Sequence, residues 1–586
     1  MVANPTAATA QNEGFCQFLW RVLSHNAPLR NPKDVAWFLA SYARDARSRI
    51  EAADLPELQA VRQALEEALG IYFDGIKGEA FFRSTFVQTL FYGIFSAWVL
   101  HHDQHRISGA ALNPQPFDWR LTGWTLKLQL VHELFGRVAQ PGNLGKLNLI
   151  EVLDWSTQAL NRVETGPFFA LFAADNAVQY FYEPFLEAFD PDLRKELGVW
   201  YTPPELVQYM VQRVDNALRT ELNLPRGLAD PRVVVLDPCC GTGAFLVETA
   251  KLIHQRLLSE GDDGFVGDDL RDALMHRIFG FEIMPAPFVV AHLQLGLLLQ
   301  RWQAPLDDTK NQRVGVFLTN ALTGWEPAKQ PKQQLLDFPE LRHERDAAEA
   351  IKQQQPILVI LGNPPYNAFA GLSAAEENNL VAAYKQGLQT NWGIRKFNLD
   401  DLYVRFFRLA QRRVAEKTGR GIVCFVSNFS YLREPSFVVM RQQLLQSFGT
   451  VWMDNLNGDS RETGKKTPDG LPDPSAFSTD QNKEGIRKGT AIGLFVRHEN
   501  HQPAHTVQFR HFWGKTKRAD LLAALTDPAT NPYQTAQPSP DNKFSFYPSD
   551  VQAHYLDWPK LTELCGADPL NGMMEKRRGL ARIWPA

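Results

Sequence analysis

Apolar residues recur at i, i+3 and i+4 from about Phe15 to Asp190, most clearly over residues 35–53 (VAWFLASYARDARSRIEAA) and 58–71, a period that predicts amphipathic helices burying one face. Strand signals are scarce here, and Pro114, Pro116, Pro141 and Gly142 divide the region, so residues 1–180 are expected to form a helical spacer or coupler domain. The most apolar stretch, residues 85–100 (TFVQTLFYGIFSAWVL), is shorter than the roughly 20 residues a membrane-spanning helix needs and contains Gln88 and Thr89. It is expected to be a buried core helix, with no membrane contact. The pattern changes near Arg232, where a β-branched run at 233–236 leads into a glycine turn and a helical period over 244–258. Apolar runs return at 278–283, 314–318, 357–361 and 422–426, most of them separated by helical stretches such as 286–302 and 401–414. Strands alternating with helices predict an α/β fold with a mainly parallel, doubly wound sheet, assigned to residues 181–455. Beyond Trp452 the texture turns polar; residues 455–485 read as a long loop or partly disordered insert, and 456–586 as a mixed C-terminal region.

Length and charge narrow the function classes. A chain of 586 residues has room for about three to five domains, and 44% hydrophobic with 22% charged residues is a globular composition. Lys plus Arg number 61 against 65 Asp plus Glu, which excludes a uniformly basic nucleic-acid coat protein; basic surface has to be local. One candidate is the stretch from Arg461 to Arg518, with 11 Lys plus Arg against 6 Asp plus Glu and Trp513 among them, a composition suited to phosphate contact. The five cysteines, Cys16, Cys239, Cys240, Cys424 and Cys565, form no CxxC or Cys/His cluster, so neither a metal site nor a disulfide framework is expected. The first fifteen residues lack a basic and apolar leader, and the expected compartment is cytoplasmic.

Three short segments carry the candidate chemistry. Asp237-Pro238-Cys239-Cys240-Gly241-Thr242-Gly243-Ala244-Phe245 is a glycine turn between strand and helix, where backbone can approach a ligand and a helix N-terminus favours negative charge. Leu246 stands where a dinucleotide fingerprint has its third glycine, which counts against a nicotinamide or flavin site. Glu282 closes the next strand, where a carboxylate can accept from both ribose hydroxyls of a nucleoside. Leu361-Gly362-Asn363-Pro364-Pro365-Tyr366 places two consecutive prolines after a strand, a rigid, carbonyl-rich loop with an aromatic at its tip. The Asn363 side-chain oxygen and the Pro364 carbonyl can accept from an exocyclic amine, and Tyr366 offers a stacking face.

DPCCGTGAF followed by NPPY, with Tyr201-Thr202-Pro203 upstream, resembles the gamma group of amino-group DNA methyltransferases, mostly N6-adenine specific. Residues 181–210, 398–403, 457–460 and 485–490 further resemble the methylase part of single-chain Type ISP restriction-modification enzymes and their phage-defence relatives. The resemblance implies a Rossmann-like methyltransferase domain with S-adenosyl-L-methionine as cofactor, acting on double-stranded DNA to methylate a flipped adenine. It implies that Tyr201, Thr202 and Pro203 close over the methionine portion, that Asp237, Gly241, Gly243 and Phe245 line the cofactor, and that Glu282 holds the ribose. Asn320 stands where the group usually has an Asp near the cofactor adenine amine. Asn363, Pro364, Pro365 and Tyr366 would form the catalytic loop, with no covalent intermediate, so Cys239 and Cys240 read as packing residues. No GxxxxGK[ST] occurs, because Gly514-Lys515-Thr516 has Phe509 where the first glycine belongs, so no ATPase is expected. Relatives continue past the segment 574–579 into a target-recognition domain. The expectation is therefore an incomplete recognition region over 456–586, weak and salt-dependent DNA binding, and partner subunits supplying recognition or a translocase. Two other readings are a protein-glutamine methyltransferase, which also uses an NPPY loop, and a non-catalytic DNA-binding or assembly subunit.

Overall fold

The computed structural model describes residues 27–51, 56–107, 116–121, 141–172, 177–190, 201–261, 264–310, 312–326, 338–366, 377, 379–479, 483–549, 554, 557–559 and 563. Cys16, Pro114, Cys565 and the segments 1–26 and 574–579 lie outside them. The N-terminal part is helical, with α1 (Pro32–Glu51), α2 (Pro56–Leu69), α3 (Gly75–Ile107) and α4 (Ala177–Phe189) among its elements. The apolar stretch 85–100 lies in α3 and is core: Phe91, Tyr92 and Trp98 are fully buried, and Phe95 stacks on Phe181 of α4 with ring centroids 3.5 Å apart. Its polar residues are accommodated locally, Thr89 Oγ1 donating to the Thr85 carbonyl at 2.7 Å. No described helix is long and apolar enough to cross a membrane.

Next come α5 (Pro204–Thr220), β1 (Val235–Asp237), α6 (Ala244–Ser259), β2 (Ile278–Glu282), α7 (Pro285–Arg301), β3 (Val316–Leu318), α8 (Pro339–Gln354), β4 (Val359–Gly362), α9 (Leu402–Gln411) and β5 (Gly421–Asn428). The five strands are parallel neighbours in the order β3-β2-β1-β4-β5, as the alternation of strand and helix requires. Every residue of β1 to β4 is buried, which is why these strands read as unbroken apolar runs rather than alternating ones. After β1 the chain moves outward to β2 and β3, then returns to the other side of β1 with β4 and β5. The carboxyl ends of β1 and β4 therefore flank the switch point where such sheets bind ligands. Helices α2 and α3 pack on α8 and α7, so the N-terminal helices cover part of this same body.

The sheet continues beyond what the apolar runs indicate. β6 (Thr450–Asn457), β7 (Thr490–Arg497), β8 (Val507–His511) and β9 (Gln534–Ala536) extend it to nine strands, with β7 inserted antiparallel between β5 and β6. The expected boundary between residues 455 and 456 falls inside β6. The sheet is thus mixed: parallel on one side of β5 and partly antiparallel on the other.

The polar stretch between β6 and β7 is a loop, held by two buried carboxylates. Asp459 Oδ1 accepts from the Arg461 and Glu462 amides at 2.7 and 2.6 Å, and its Oδ2 from the Gly489 amide at 3.0 Å. Asp473 accepts from the Gly458 and Gly514 amides, each at 2.8 Å, and pairs with the buried Lys517 ammonium at 2.7 Å. Asp459→Ala strands three backbone donors, so it is expected to cost about 2–3 kcal/mol and to open the loop to trypsin under native conditions, read as faster limited cleavage.

These contacts also change the reading of the basic stretch. Arg510 and Lys517 are buried in ion pairs with Asp454 and Asp473. Arg518 donates to the Ala476 and Ser478 carbonyls, Arg487 pairs with Glu484, and Lys488 with Glu434. Much of the local positive excess is spent inside the fold, because a polar loop packed on a sheet must satisfy its own carbonyls and carboxylates.

Candidate active site

The site is assembled at the carboxyl ends of four adjacent strands. β1 ends at Asp237, and the chain then turns through Gly241 (φ +53°) and Gly243 (φ +91°) into α6. These left-handed conformations explain the glycines, and a side chain on Gly243 would also press on Ala291 of α7. Asp237 is fully buried; Oδ1 accepts from the Cys239 amide at 3.1 Å, and among the described residues Oδ2 has no hydrogen-bond partner. Burial pushes its carboxyl up to about 8. Cys239 and Cys240 are likewise pushed well up by burial, so both stay neutral thiols, and Cys240 packs where a side chain on Gly280 would stand.

Glu282, at the end of β2, organises the turn. Its Oε2 accepts from the Gly241 amide at 2.8 Å, and Oε1 from the Ile283 and Met284 amides at 3.0 and 2.8 Å. Burial raises this carboxyl to about 7 despite those three donors. Asn320 follows β3. Its Oδ1 accepts from the Leu322 amide at 2.9 Å and its Nδ2 donates to Glu377 at 2.8 Å, so the amide orientation is set from both sides.

Asn363 follows β4, where Gly362 is needed because a side chain there would meet Asp237 Oδ1 at 2.6 Å. The Asn363 Nδ2 donates to Thr202 Oγ1 at 3.0 Å, joining two segments 161 residues apart. One pocket is lined by Tyr201, Thr202, Gly241, Phe245, Glu282, Asn320, Asn363 and Pro365. Asp237 and Gly243 lie behind that lining, Pro203 begins α5, and Pro364 sits between two lining residues. Tyr366 is placed differently from the expected loop tip: it is 5% exposed and packs edge-on against Phe477 of the β6–β7 loop, with ring centroids 6.4 Å apart. A large aromatic flanked by apolar strands is driven into the core unless a ligand competes for its face.

Two groups of lining residues were not singled out from the sequence. Leu65, Leu69, Phe73 and Phe81 of the N-terminal part form an apolar wall, although their helical spacing marks them only as core. Glu377 and Arg405 form a buried ion pair at 2.7 Å on the opposite side, from a polar stretch with no motif.

Residues 173–424 match the N-6 DNA methylase family. The adenine-specific methyltransferase PglX of Streptomyces coelicolor is 25% identical over 262 residues, which cover 41% of this chain and 20% of that protein. Three solved structures share the fold. A DrdV–DNA complex is similar at a TM-score of 0.61 and 18% identity, over 87% of this chain and 45% of that one. The ATP-dependent Type ISP restriction-modification enzyme LlaBIII bound to DNA gives 0.61 and 19%, over 88% and 32%. A nuclease-deletion mutant of the Type ISP enzyme LlaGI, in complex with a DNA substrate mimic, gives 0.63 and 20%, over 94% and 41%. The chain therefore spans about a fifth of the PglX protein and between a third and a half of these structures. The glycine turn, the carboxylate closing β2 and the Asn363 loop all fall within the matched segment, and residues 173–424 of this chain constitute an N-6 DNA methylase domain.

Proposed function

We propose that the chain transfers a methyl group from S-adenosyl-L-methionine to N6 of an adenine in double-stranded DNA, as part of a restriction-modification or phage-defence system. The observation that supports this most directly is the pocket itself: the glycine turn, Glu282, Thr202 and Asn363 meet at neighbouring strand ends. The residues fit the cofactor. Asp237 keeps a buried carboxylate oxygen without a partner, and two carboxylates near one turn favour a ligand carrying positive charge. In this reading Tyr201, Thr202 and Pro203 cover the amino-acid end, Gly241, Gly243 and Phe245 line the middle, and Glu282 receives the ribose hydroxyls. When bound, the cofactor supplies an electrophilic methyl group.

The protein's own contribution is to hold the amine. The adenine N6 lone pair is delocalised into the ring, and inside a duplex the atom is out of reach, so the base has to be flipped out. The Asn363 and Pro364 carbonyl oxygens would accept the two amine protons and draw the lone pair out of the ring, leaving positioning and electrostatics to lower the barrier. Thr202 holds the Asn363 amide so that its oxygen, not its nitrogen, serves this role. Stacking of the base on Tyr366 requires that ring to leave Phe477, which couples base entry to movement of the β6–β7 loop. The decisive test is transfer of tritiated methyl from the cofactor, followed by digestion of the DNA to nucleosides. Label in N6-methyladenine is expected; label on protein glutamine, or none on DNA, overturns the reading.

Cofactor binding is expected to depend on pH in a defined direction. With the Asp237 and Glu282 carboxyls raised to about 8 and about 7, both are largely protonated at pH 6. A cationic ligand favours the ionised forms, so below pH 7 binding must expel protons, and affinity falls by up to about tenfold per pH unit for each proton released. Calorimetry in buffers of different ionisation heat should record that release for S-adenosylmethionine and a smaller one for uncharged S-adenosylhomocysteine.

A further inference from the structure

Glu377 is 4% exposed and lines the pocket beside Asn320 and Arg405. Its Oε1 accepts from Asn320 Nδ2 at 2.8 Å and its Oε2 from Arg405 Nη1 at 2.7 Å. An ionised carboxylate offers about four acceptor sites, and these two contacts use two of them. Asn320 turns its nitrogen to Glu377 while its oxygen serves the Leu322 amide, so the negative acceptor at this end of the pocket is the glutamate. Asn363, which faces the target amine, ends the line at β4; Glu282 and the glycine turn occupy β2 and β1; Asn320 and Glu377 mark β3. With strands about 4.8 Å apart, β3 and β4 are separated by about 14 Å, the span of a nucleoside joined to an amino-acid tail. A ligand whose reactive end meets Asn363 thus presents its base to Glu377.

Resting on the reading of this pocket as the S-adenosylmethionine site, we propose that Glu377 is a binding residue that selects a 6-aminopurine there. Its carboxylate accepts from the exocyclic amine and faces a 6-oxo group with like partial charge, while Asn320 and Arg405 hold it in place. Acceptance rewards the amine, and repulsion rejects the oxo analogue.

The test compares calorimetric affinities of S-adenosylhomocysteine, its 6-oxo (inosyl) analogue and its 6-unsubstituted purine analogue. The wild-type chain is expected to prefer the 6-amino ligand over the 6-unsubstituted one by about 10- to 100-fold, a hydrogen bond to a charged group. Glu377→Gln should reduce that preference at least several-fold and lessen the penalty on the 6-oxo ligand. Because Glu377→Gln leaves Arg405 buried without its counter-ion, Glu377→Gln with Arg405→Gln is measured alongside, each variant checked by thermal melting. A folded variant that loses affinity equally for all three ligands, or retains the wild-type preference, overturns the assignment. Failure of the wild-type chain to bind S-adenosylhomocysteine at all would instead remove the cofactor reading, and this assignment with it.

Discussion

Asn363→Ala is expected to lower methyl transfer to DNA by about a hundredfold to a thousandfold, the cost of removing one preorganised group that acts on charge developing in the transition state. Cofactor affinity should change little, because Glu282 and the glycine turn are held by contacts of their own, namely the Gly241, Ile283 and Met284 amides on the Glu282 carboxylate. Single-turnover rates set beside calorimetric binding separate the two effects. Asn363→Asp is informative as well: without an amide N–H to donate to Thr202, and with a charge beside Asp237, it should lose activity without regaining the wild-type geometry. Near-normal turnover by Asn363→Ala, on DNA that the wild type modifies, would remove the amine-holding role.

The largest effect on stability is expected away from the pocket. Asp454 of β6 is buried and accepts from Arg510 of β8 at 2.6 Å, from Tyr209 of α5 at 2.7 Å and from Tyr533 at 2.9 Å. Arg510 also donates to the Tyr209 hydroxyl at 2.6 Å and lies over the Tyr533 ring at 4.1 Å. Asp454→Ala leaves the guanidinium buried without its counter-ion, so a loss of about 3–5 kcal/mol is expected in urea denaturation. Replacing both partners, Asp454→Leu with Arg510→Met, should cost less than the single change, because the penalty lies mainly in the stranded charge. A double variant as unstable as Asp454→Ala would mean that the hydrogen bonds to Tyr209 and Tyr533 carry the stability instead.

This network also explains which strands the sequence pattern revealed. β1 to β5 stand between helices and are buried on both faces, so they appear as apolar runs. β6 reads Thr-Val-Trp-Met-Asp-Asn-Leu-Asn, and its polar residues look like loop until Arg510 and Tyr209 are seen to satisfy Asp454. β7, β8 and β9 pair through residues far apart in the chain, which local periodicity does not register. The site divides in the same way. Glycines at positive φ and a double-proline loop leave a local mark, so Gly241, Gly243 and Asn363 were visible. The Thr202–Asn363 bond, the Glu377–Arg405 pair and the wall of Leu65, Leu69 and Phe81 exist only after the fold brings them together.

The insertion of β7 between β5 and β6 bears on how such a protein can be recombined. Residues 450–536 hydrogen-bond into the catalytic sheet, with β7 paired to β5 along its whole length, so a crossover near residue 455 would sever the sheet from within. A chimera that exchanges recognition modules while preserving the methylase body therefore needs its junction beyond β9, after Ala536, and a library of fusion points should yield soluble protein there and aggregates at 455.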